Sequence, residues 1–500
     1  MRILLRLLAF LCCAGLARAA DRPNVLFIAV DDLRPEFGAY GAHYVKSPNL
    51  DRIAKAGITF NRAYCQQAVC SPTRSSLLTG TRPDTTKVWD LQTHFRTALP
   101  NVVTLGQHFK NNGYFVQGMG KIYHGGFDDP PSWSVPWQTP KAQAYGLPEN
   151  LALNQRQNAA DEPDGEPKKK GGTKKKEPTP KNSRGPAFEG ADVPDDTFQD
   201  GKVAELAVAT LKQLSQKPEP FFLAVGFVKP HLPFVAPKKY WGLYDPAKIQ
   251  LAPNRFRPKD APDYAILPGG ELRNYHGIPE GSIPDDLARQ LKHGYYAAIS
   301  YTDAQVGKLL DELDRLGLSK NTIVILWGDH GWKLGEHDAW CKHTNTENDT
   351  NAPLLLSVPG MKTPGVRTDA LVEFVDIYPT LADLAGLPLP SHLEGVSFKP
   401  LLENPQRPWK RAAFSQYPRP AGKAGQALMG YSMRTDRYRF TVWVSRTDHS
   451  KVNAIELYDH QTDPQENTNI ASHPAHAALV ETLTAQWRAG WQGTLAAGVH

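Results

Sequence analysis

The chain has 500 residues, of which 41% are hydrophobic and 22% are charged, a composition typical of a globular protein with a large core and more than one domain. After the first 19 residues no apolar stretch is long enough to span a membrane, so stable membrane insertion is not expected. The net charge of +6 comes from three arginines near the start and seven lysines between positions 168 and 181. The rest is not basic, and this argues against nucleic-acid binding.

The first 19 residues have the pattern of a secretory signal. Arg2 and Arg6 precede an apolar run from residue 3 to residue 16, and Ala17-Arg18-Ala19 fits a small-residue cleavage site. We therefore predict an exported protein, either periplasmic or secreted. The mature chain keeps Cys65, Cys70 and Cys341, too few cysteines for a disulfide framework. Cys65 and Cys341 are either two separate buried thiols or a pair.

Apolar strands and amphipathic helices alternate from residue 22 onward. Strands are predicted at 24–30, from 114 to 117, at 221–228 and at 322–327. Helices are predicted at 47–54, 102–110, 202–214 and 287–316. This order predicts an α/β fold in which helices sandwich a large, mainly parallel sheet.

Two segments depart from this alternation. Residues 158–187 contain lysine clusters, glycines and prolines, so they are predicted to be a disordered insert or, alternatively, an arm that contacts a polyanion. After residue 403 short β-type runs precede a helix predicted at 474–492. We therefore divide the chain into a catalytic unit, residues 20–403, and a smaller C-terminal α+β subdomain with an antiparallel sheet, residues 404–500.

Cys70 begins the run C-S-P-T-R. Pro72 suits the first turn of a helix, Ser71 can cap that helix, and Gly80 can end it. Cys70 would then lie at a helix N-terminus, where free N–H groups favour an anion such as sulfate, and Arg74 would add positive charge. Taken alone, the run is more typical of a buried cysteine before a capped helix than of a reactive site.

Polar residues follow two predicted strands. Asp31 and Asp32 follow the first strand, and Asp329 and His330 follow the strand at 322–327. Because ligands of open α/β sheets gather at the carboxyl ends of strands, these residues could converge on one site. Adjacent aspartates repel each other unless a cation compensates, and their oxygens suit Ca²⁺, with Mg²⁺ as an alternative. A turn or helix cap is the competing explanation for Asp31-Asp32, and a loop with no ligand role is the competing explanation for Asp329-His330.

Three further groups carry candidate side chains. Lys121 and His124 are three residues apart, so one turn can direct both to the same place. His231 lies between prolines that restrict its backbone. The last group contains Trp332, Trp340 and Lys342.

Taken together and in this order, the motifs resemble the formylglycine-dependent sulfatases of the alkaline phosphatase-like superfamily, and most of all the iduronate-2-sulfatase branch. The resemblance covers residues 23–469 apart from the lysine-rich insert. It is carried by N-V-L-F-I-A-V-D-D-L-R-P, Q-Q-A-V-C-S-P-T-R, G-K-I-Y-H, F-F-L-A-V-G-F-V-K-P-H-L-P-F, D-H-G-W-K-L-G-E-H and E-L-Y-D-H-Q-T-D-P-Q-E.

The resemblance implies that a formylglycine-generating enzyme converts Cys70 and that the hydrated aldehyde attacks the sulfur of a sulfate ester. The implied Ca²⁺ ligands are Asp31, Asp32, Asp329, His330 and the converted Cys70. The implied catalytic side chains, which hold the sulfate or move protons, are Arg74, Lys121, His124, His231 and Lys342. His124 would accept a proton from the hydrate, and His231 or Lys342 would assist the leaving alcohol.

The implied substrate is a sulfated oligosaccharide or polysaccharide, with a 2-O-sulfated uronic acid favoured. Trp332 and Trp340 are the predicted substrate contacts. Two other functions remain open: a phosphodiesterase or phosphonate hydrolase on the same scaffold, and a non-catalytic glycan-binding protein in which Cys70 stays a thiol.

Overall fold

The computed structural model describes residues 22–160, 184–267, 270–420, 427–496 and 498. The predicted signal at 1–19 and residues 161–183 of the predicted insert lie outside this part of the chain. The predicted disorder is wrong at both ends of the insert, because residues 158–160 continue a helix and residues 184–186 form a strand. Within the described part, no helix is both long and apolar enough to cross a membrane.

The strands follow in chain order: β1 Asn24–Val30, β2 Ile58–Phe60, β3 Ala63–Tyr64, β4 Phe115–Gly120, β5 Arg184–Pro186, β6 Phe188–Ala191, β7 Phe221–Phe227, β8 Phe234–Pro237, β9 Tyr275–His276, β10 Thr322–Gly328, β11 Leu354–Ser357, β12 Val366–Thr368, β13 Val372–Glu373, β14 Ala412–Arg419, β15 Leu428–Thr435, β16 Tyr438–Ser445 and β17 Val452–Asp459.

The α-helices are α1 Pro48–Ala56, α2 Cys70–Thr79, α3 Pro83–Thr86, α4 Leu105–Asn111, α5 Pro148–Ala160, α6 Gln199–Leu214, α7 Lys238–Trp241, α8 Asp285–Arg315, α9 Glu347–Thr350, α10 Ile377–Leu384, α11 Lys399–Glu403 and α12 Ala477–Arg488. Short 3₁₀ helices span Gly38–Tyr40, Phe95–Thr97, Pro130–Ser132, Asp195–Thr197, Pro246–Lys248, Glu271–Asn274, Leu318–Asn321, Glu336–Asp338, Phe374–Asp376, Pro474–His476 and Gln492–Thr494.

The main sheet has seven strands in the order β12-β2-β11-β10-β1-β7-β4. The neighbours β10, β1, β7 and β4 are parallel, whereas β11 runs antiparallel to both β10 and β2. The strands β1, β7 and β10 are buried along their whole length, which explains why their sequences are continuous apolar runs rather than alternating ones. The predicted α/β fold with a mainly parallel sheet is confirmed.

Helices cover both faces of this sheet. Leu26, Ile28 and Val30 of β1 share a core with α6 and α8 on one face, while alternate residues of the same strand pack with α2, α4 and α10 on the other. This arrangement follows from the period of two in a strand, which directs successive apolar side chains to opposite faces. The sandwich fixes the carboxyl ends of β1, β7 and β10 at one edge.

The strands β14 to β17 form a separate antiparallel sheet near the C-terminus, as predicted. Leu483 of α12 packs into its core. The helix predicted at 474–492 is interrupted: α12 is flanked by 3₁₀ turns, and Gly490, with a φ of 69°, follows its end. The division at residues 403 and 404 stays a prediction.

Candidate active site

The ends of β1 and β10 bring the two predicted acidic pairs together. Val30 pairs with Gly328 in the parallel register, so Asp31 and Asp329 leave the sheet side by side. The backbone N–H groups of Asp32 and His330 both donate to Asp329 Oδ1, at 3.0 and 3.1 Å. Asp32 has a φ of 56°, a left-handed conformation that aspartate tolerates better than most residues. Two strand ends thus place three carboxylates and one imidazole at one edge of the sheet.

Cys70 is the first residue of α2, as the sequence predicted. The prediction that Ser71 caps this helix is wrong: Val69 is the N-cap residue, in extended conformation, and Ser71 lies within the helix. The extended backbone of Val69 already makes the transition from loop to helix, which leaves no cap position for Ser71. Gly80 ends the helix with a φ of 68°, as predicted.

The Cys70 thiol lies against the acidic residues. Its Sγ is 3.4 Å from Asp31 Oδ1, 3.4 Å from His330 Nε2 and 3.8 Å from Lys121 Nζ. Burial, reinforced by the charge of Asp31, raises the pKa of the Cys70 thiol well above its usual value. An unmodified Cys70 is therefore a protonated, weak nucleophile at neutral pH.

Four side chains here have the spacing of a metal site. Ligand atoms of Asp31, Asp32, Cys70 and His330 all lie within 4.8 Å of one another, and all four residues are buried. His330 Nδ1 lies 3.0 Å from the carbonyl oxygen of Gly331, which can only accept, so Nδ1 carries the proton and Nε2 keeps its lone pair. The set is rich in carboxylate oxygen and fits a hard divalent cation, except for the sulfur of Cys70.

Three cations approach the same carboxylates. Arg74, which is fully buried, donates from Nε to Asp329 at 2.9 Å and from Nη2 to Asp31 at 3.3 Å. Lys121 Nζ donates to Asp31 Oδ2, and Lys342 Nζ donates to Asp32 Oδ1 at 3.0 Å. These ion pairs reduce the repulsion among the acids and keep the side chains in place.

The neighbouring cations do not fully compensate the negative charge of the acidic residues at Asp32. Burial raises the pKa of Asp32 well above its usual value, and the charges of Asp31 and Glu271 add to this effect against the opposing effect of Lys342. Although burial opposes it, Lys121 and Arg74 hold the pKa of Asp31 well below its usual value. A divalent cation between these residues would relieve the repulsion at Asp32, which is the second reason that the residues fit such an ion.

Above the acids lies an open cavity of about 720 Å³. Five of the six predicted catalytic residues line it: Cys70, Lys121, His124, His231 and Lys342. Arg74 does not line the cavity, because its guanidinium is enclosed beneath it against Asp31 and Asp329.

The two cavity histidines occupy different environments. Burial, together with Lys121 and Arg74, lowers the pKa of His124 to about 4. The ring is therefore neutral at neutral pH, and its buried Nδ1 has no hydrogen-bond partner within the described chain. Burial lowers the pKa of His231 to about 3, although its Nε2 lies 3.2 Å from Glu271 Oε1.

The predicted substrate-binding tryptophans lie elsewhere. Trp332 is fully buried in the core below the cavity, with Lys342 Nζ 4.8 Å from its ring centre, and Trp340 is 4% exposed in the same core. Neither lines the cavity, where Trp137 and Tyr123 supply aromatic surface. Asp329 and Lys342, which are close to the two tryptophans in the sequence, lie at the site. The tryptophan rings instead point into the hydrophobic core.

Glu271 and Arg184 line the cavity and were missed by the sequence analysis. Glu271 accepts from Lys342 Nζ at 2.7 Å and lies 3.2 Å from His231, and Arg184 lies 3.6 Å from Glu271. Arg184 falls inside the segment predicted to be disordered, and Glu271 follows no strand or motif. No local sequence signal marks either residue, because both reach the cavity through long-range packing of connecting segments.

Comparisons with known proteins agree with this arrangement. Residues 23–387 match the family described as Sulfatase, and residues 335–490 match the family described as N-sulphoglucosamine sulphohydrolase, C-terminal. The chain is 36% identical to the iduronate 2-sulfatase of Mus musculus, over 93% of this chain and 94% of that protein.

Solved structures share the fold. A 2-O GAG sulfatase superposes with a TM-score of 0.69 and 23% identity, over 93% of this chain and 91% of that one. The phosphonate monoester hydrolase of Silicibacter pomeroyi superposes with a TM-score of 0.72 and 21% identity, over 95% of this chain and 96% of that one.

Proposed function

The chain belongs to the sulfatase family and is a sulfuric ester hydrolase, and we propose that it removes the 2-O-sulfate from a uronic acid of a sulfated glycan, using a formylglycine derived from Cys70. The observation that carries the proposal is the convergence of Cys70 with Asp31, Asp32 and His330 within 4.8 Å, at the floor of a cavity lined by cations.

The cation is proposed to be Ca²⁺, with Mg²⁺ as the alternative. Asp31, Asp32, Asp329 and His330 would hold it. When bound, a divalent cation would offset the negative charge of the sulfate ester and polarise its oxygens. A hard cation prefers oxygen to sulfur, so the position of Cys70 in this donor set favours replacement of its thiol by an oxygen-bearing group.

Conversion of Cys70 by a formylglycine-generating enzyme is the proposed maturation step. The hydrated aldehyde would supply the oxygen nucleophile that a protonated, buried thiol does not. Conversion is proposed to come before any activity. The signal-like residues 1–19 support export, so the converted protein is proposed to act in the periplasm or outside the cell.

The remaining side chains would manage charge and protons. Lys121 and Lys342 line the cavity and would hold the sulfate, while Arg74 keeps Asp31 and Asp329 oriented from below. His124 lines the cavity, is neutral at neutral pH and would accept a proton during turnover. Lys342, whose pKa is raised by Asp32 and Glu271 against the effect of burial, would remain charged and assist the leaving oxygen. His231, which is neutral at neutral pH because burial lowers its pKa to about 3, would help to hold the sulfate.

The proposed substrate rests on the relatives. The mouse relative is an iduronate 2-sulfatase, and the two sequences are 36% identical over nearly the full length of both chains. A cavity lined by Lys121, Arg184 and Lys342 suits a substrate with more than one anionic group.

The test uses the full chain produced together with a formylglycine-generating enzyme, with Cys70→Ala as the matched control. We expect hydrolysis of aryl sulfate, much slower hydrolysis of aryl phosphonate, and release of sulfate from a 2-O-sulfated uronate disaccharide in preference to a 6-O-sulfated glucosamine. Faster hydrolysis of the phosphonate would favour the phosphonate hydrolase alternative. Glycan binding without hydrolysis by a converted protein would favour the binding protein and contradict the proposal.

A further inference from the structure

Arg184 is the cavity cation that the described carboxylates of the site engage most weakly. Lys121 is paired with Asp31, and Lys342 with both Asp32 and Glu271. Among the described residues, Arg184 has one carboxylate oxygen near it, Glu271 Oε1, at 3.6 Å. A guanidinium offers five N–H donors. Among the described cavity residues, Arg184 is therefore the cation with donors to spare.

Packing holds the Arg184 side chain at the cavity. Arg184 pairs with Tyr275 across the short parallel strands β5 and β9, and its guanidinium lies 5.5 Å from the centre of the Tyr275 ring. It also donates to Tyr275 Oη at 3.4 Å. Next to it, Gly185 leaves room for the ring of Tyr145, since a Cβ at Gly185 would lie 2.7 Å from that ring. The guanidinium thus packs on the face of the Tyr275 ring, and the Arg184 side chain remains 48% exposed.

Glu271 sets the spacing between Arg184 and the sulfate-holding groups. One of its oxygens contacts Lys342 and the other faces His231 and Arg184. The Glu271 carboxylate therefore lies between Arg184 and Lys342, so the two cations present separate positions for anionic groups in the same cavity.

We propose that Arg184 binds a second anionic group of the substrate, the carboxylate of the uronic acid, while Lys342 and Lys121 hold the sulfate that is removed. This inference rests on the proposed function and adds the residue that selects a uronate over a neutral sugar. The planar fork of arginine matches a carboxylate, forming two parallel hydrogen bonds that a lysine does not reproduce. A sulfate on the neighbouring sugar is the other source of such an anion.

The experiment measures kcat and KM for wild type, Arg184→Met and Arg184→Lys on two substrates, a 2-O-sulfated uronate disaccharide and an aryl sulfate that has no carboxylate. For Arg184→Met we expect kcat/KM on the disaccharide to fall roughly 10- to 100-fold, mostly through KM, with less than a twofold change on aryl sulfate. Arg184→Lys should lower kcat/KM on the disaccharide by a smaller factor. Arg289→Met, which removes an exposed arginine paired with Asp286, is the matched control and should change neither value.

Two further substrates identify the anion. The carboxyl-reduced disaccharide should be a poor substrate for wild type and should be insensitive to Arg184→Met. The Arg184→Met substitution could instead lower kcat/KM equally on the carboxyl-reduced disaccharide and have no effect only on a substrate that lacks the sulfate of the neighbouring sugar. That result would overturn the uronate assignment.

Equal losses on the disaccharide and on aryl sulfate, or no loss on either, would overturn the role of Arg184 while leaving the proposed function intact. Wild type that hydrolyses aryl sulfate but no 2-O-sulfated uronate would refute the proposed substrate, and the role of Arg184 with it.

Discussion

Three groups of side chains in the described part of the chain have the donor spacing of a metal site, and two of them differ in how their charges are balanced. One is the active-site acid cluster, defined here as Asp31, Asp32, Cys70 and His330. The other, called here the Glu466 cluster, has Glu347, His460 and Glu466 as its donors, and Arg434 and Arg439 join these donors to the C-terminal sheet.

In the Glu466 cluster, arginines already occupy the position that a cation would take. Arg439 donates to both Glu347 and Glu466, and His460 Nε2 lies 2.9 Å from Glu466. Although burial opposes it, Arg439 holds the pKa of both carboxyls below their usual values. In the active-site acid cluster the two aspartates differ: Lys121 and Arg74 hold the pKa of Asp31 below its usual value, whereas burial raises the pKa of Asp32. Donor spacing alone therefore does not identify a metal site, because the balance of fixed charge decides whether an ion is needed.

The largest expected effect is the loss of turnover in Cys70→Ala. The variant keeps the acids and cations of the site but has no side chain that can become the oxygen nucleophile, so sulfate release should fall to the uncatalysed rate. Cys65→Ala is the control, because Cys65 is buried in the apolar core, with its Sγ 3.9 Å from the Asp349 carbonyl oxygen, and does not line the cavity. Activity in a cleanly purified Cys70→Ala protein would contradict the assignment.

Asp32→Asn separates the two clusters by their response to Ca²⁺. Wild type should gain about 2.7 kcal/mol of unfolding free energy at a Ca²⁺ concentration 100 times its dissociation constant, and Asp32→Asn should lose this gain together with activity. After chelation Asp32→Asn should be no less stable than wild type, because the ionised Asp32 is destabilised by its neighbours. Thermal unfolding with and without chelator checks both. A Ca²⁺ response that Asp32→Asn leaves unchanged would place the ion elsewhere.

Glu466→Gln should have the opposite effects: it should lower the free energy of unfolding without changing activity or the response to Ca²⁺. It leaves Arg439 buried with only part of its charge paired, so the free energy of unfolding should fall by about 3 to 5 kcal/mol, while kcat of the folded protein and the Ca²⁺ response stay unchanged. Arg437→Met is the control, because the Arg437 side chain is half exposed and its ion pair with Asp459 should contribute little to the free energy of unfolding. Chemical denaturation gives these values, and a lost Ca²⁺ response in Glu466→Gln would erase the distinction between the clusters.

The smallest expected effect is the position of the acid limb of activity. Burial and the neighbouring cations lower the pKa of His124 to about 4, so its neutral, proton-accepting form persists as the pH falls until about pH 4. The rate step that needs this base should therefore decline through pH 4 rather than near 6.5. A pH profile of kcat/KM for wild type, which reports the pKa values of the free enzyme, checks this, with His124→Gln as the control that should show a lower rate and no such limb. A limb near 6.5 would contradict the described environment.

The sequence predicts those parts of the molecule that local patterns determine. β1, β7 and β10 are buried on both faces and read as continuous apolar runs, so their positions and the residues at their ends followed directly. Cys70 at the start of a helix followed from Pro72 and Gly80.

Other features depend on contacts between distant segments. Glu271 reaches the cavity through Lys342, 71 residues away, and Arg184 through its pairing with Tyr275. The direction of the Trp332 ring depends on the packing of α8 and β8 beneath it, where its neighbours include Phe234. No short-range pattern encodes these contacts.

The most direct test of the central claim is the mass of the tryptic peptide that contains residue 70, measured on protein of known specific activity. The account predicts the mass of the aldehyde or its hydrate in place of the thiol, with the converted fraction equal to the active fraction across preparations made with and without the formylglycine-generating enzyme. A fully active preparation in which residue 70 is an unmodified cysteine throughout would contradict it.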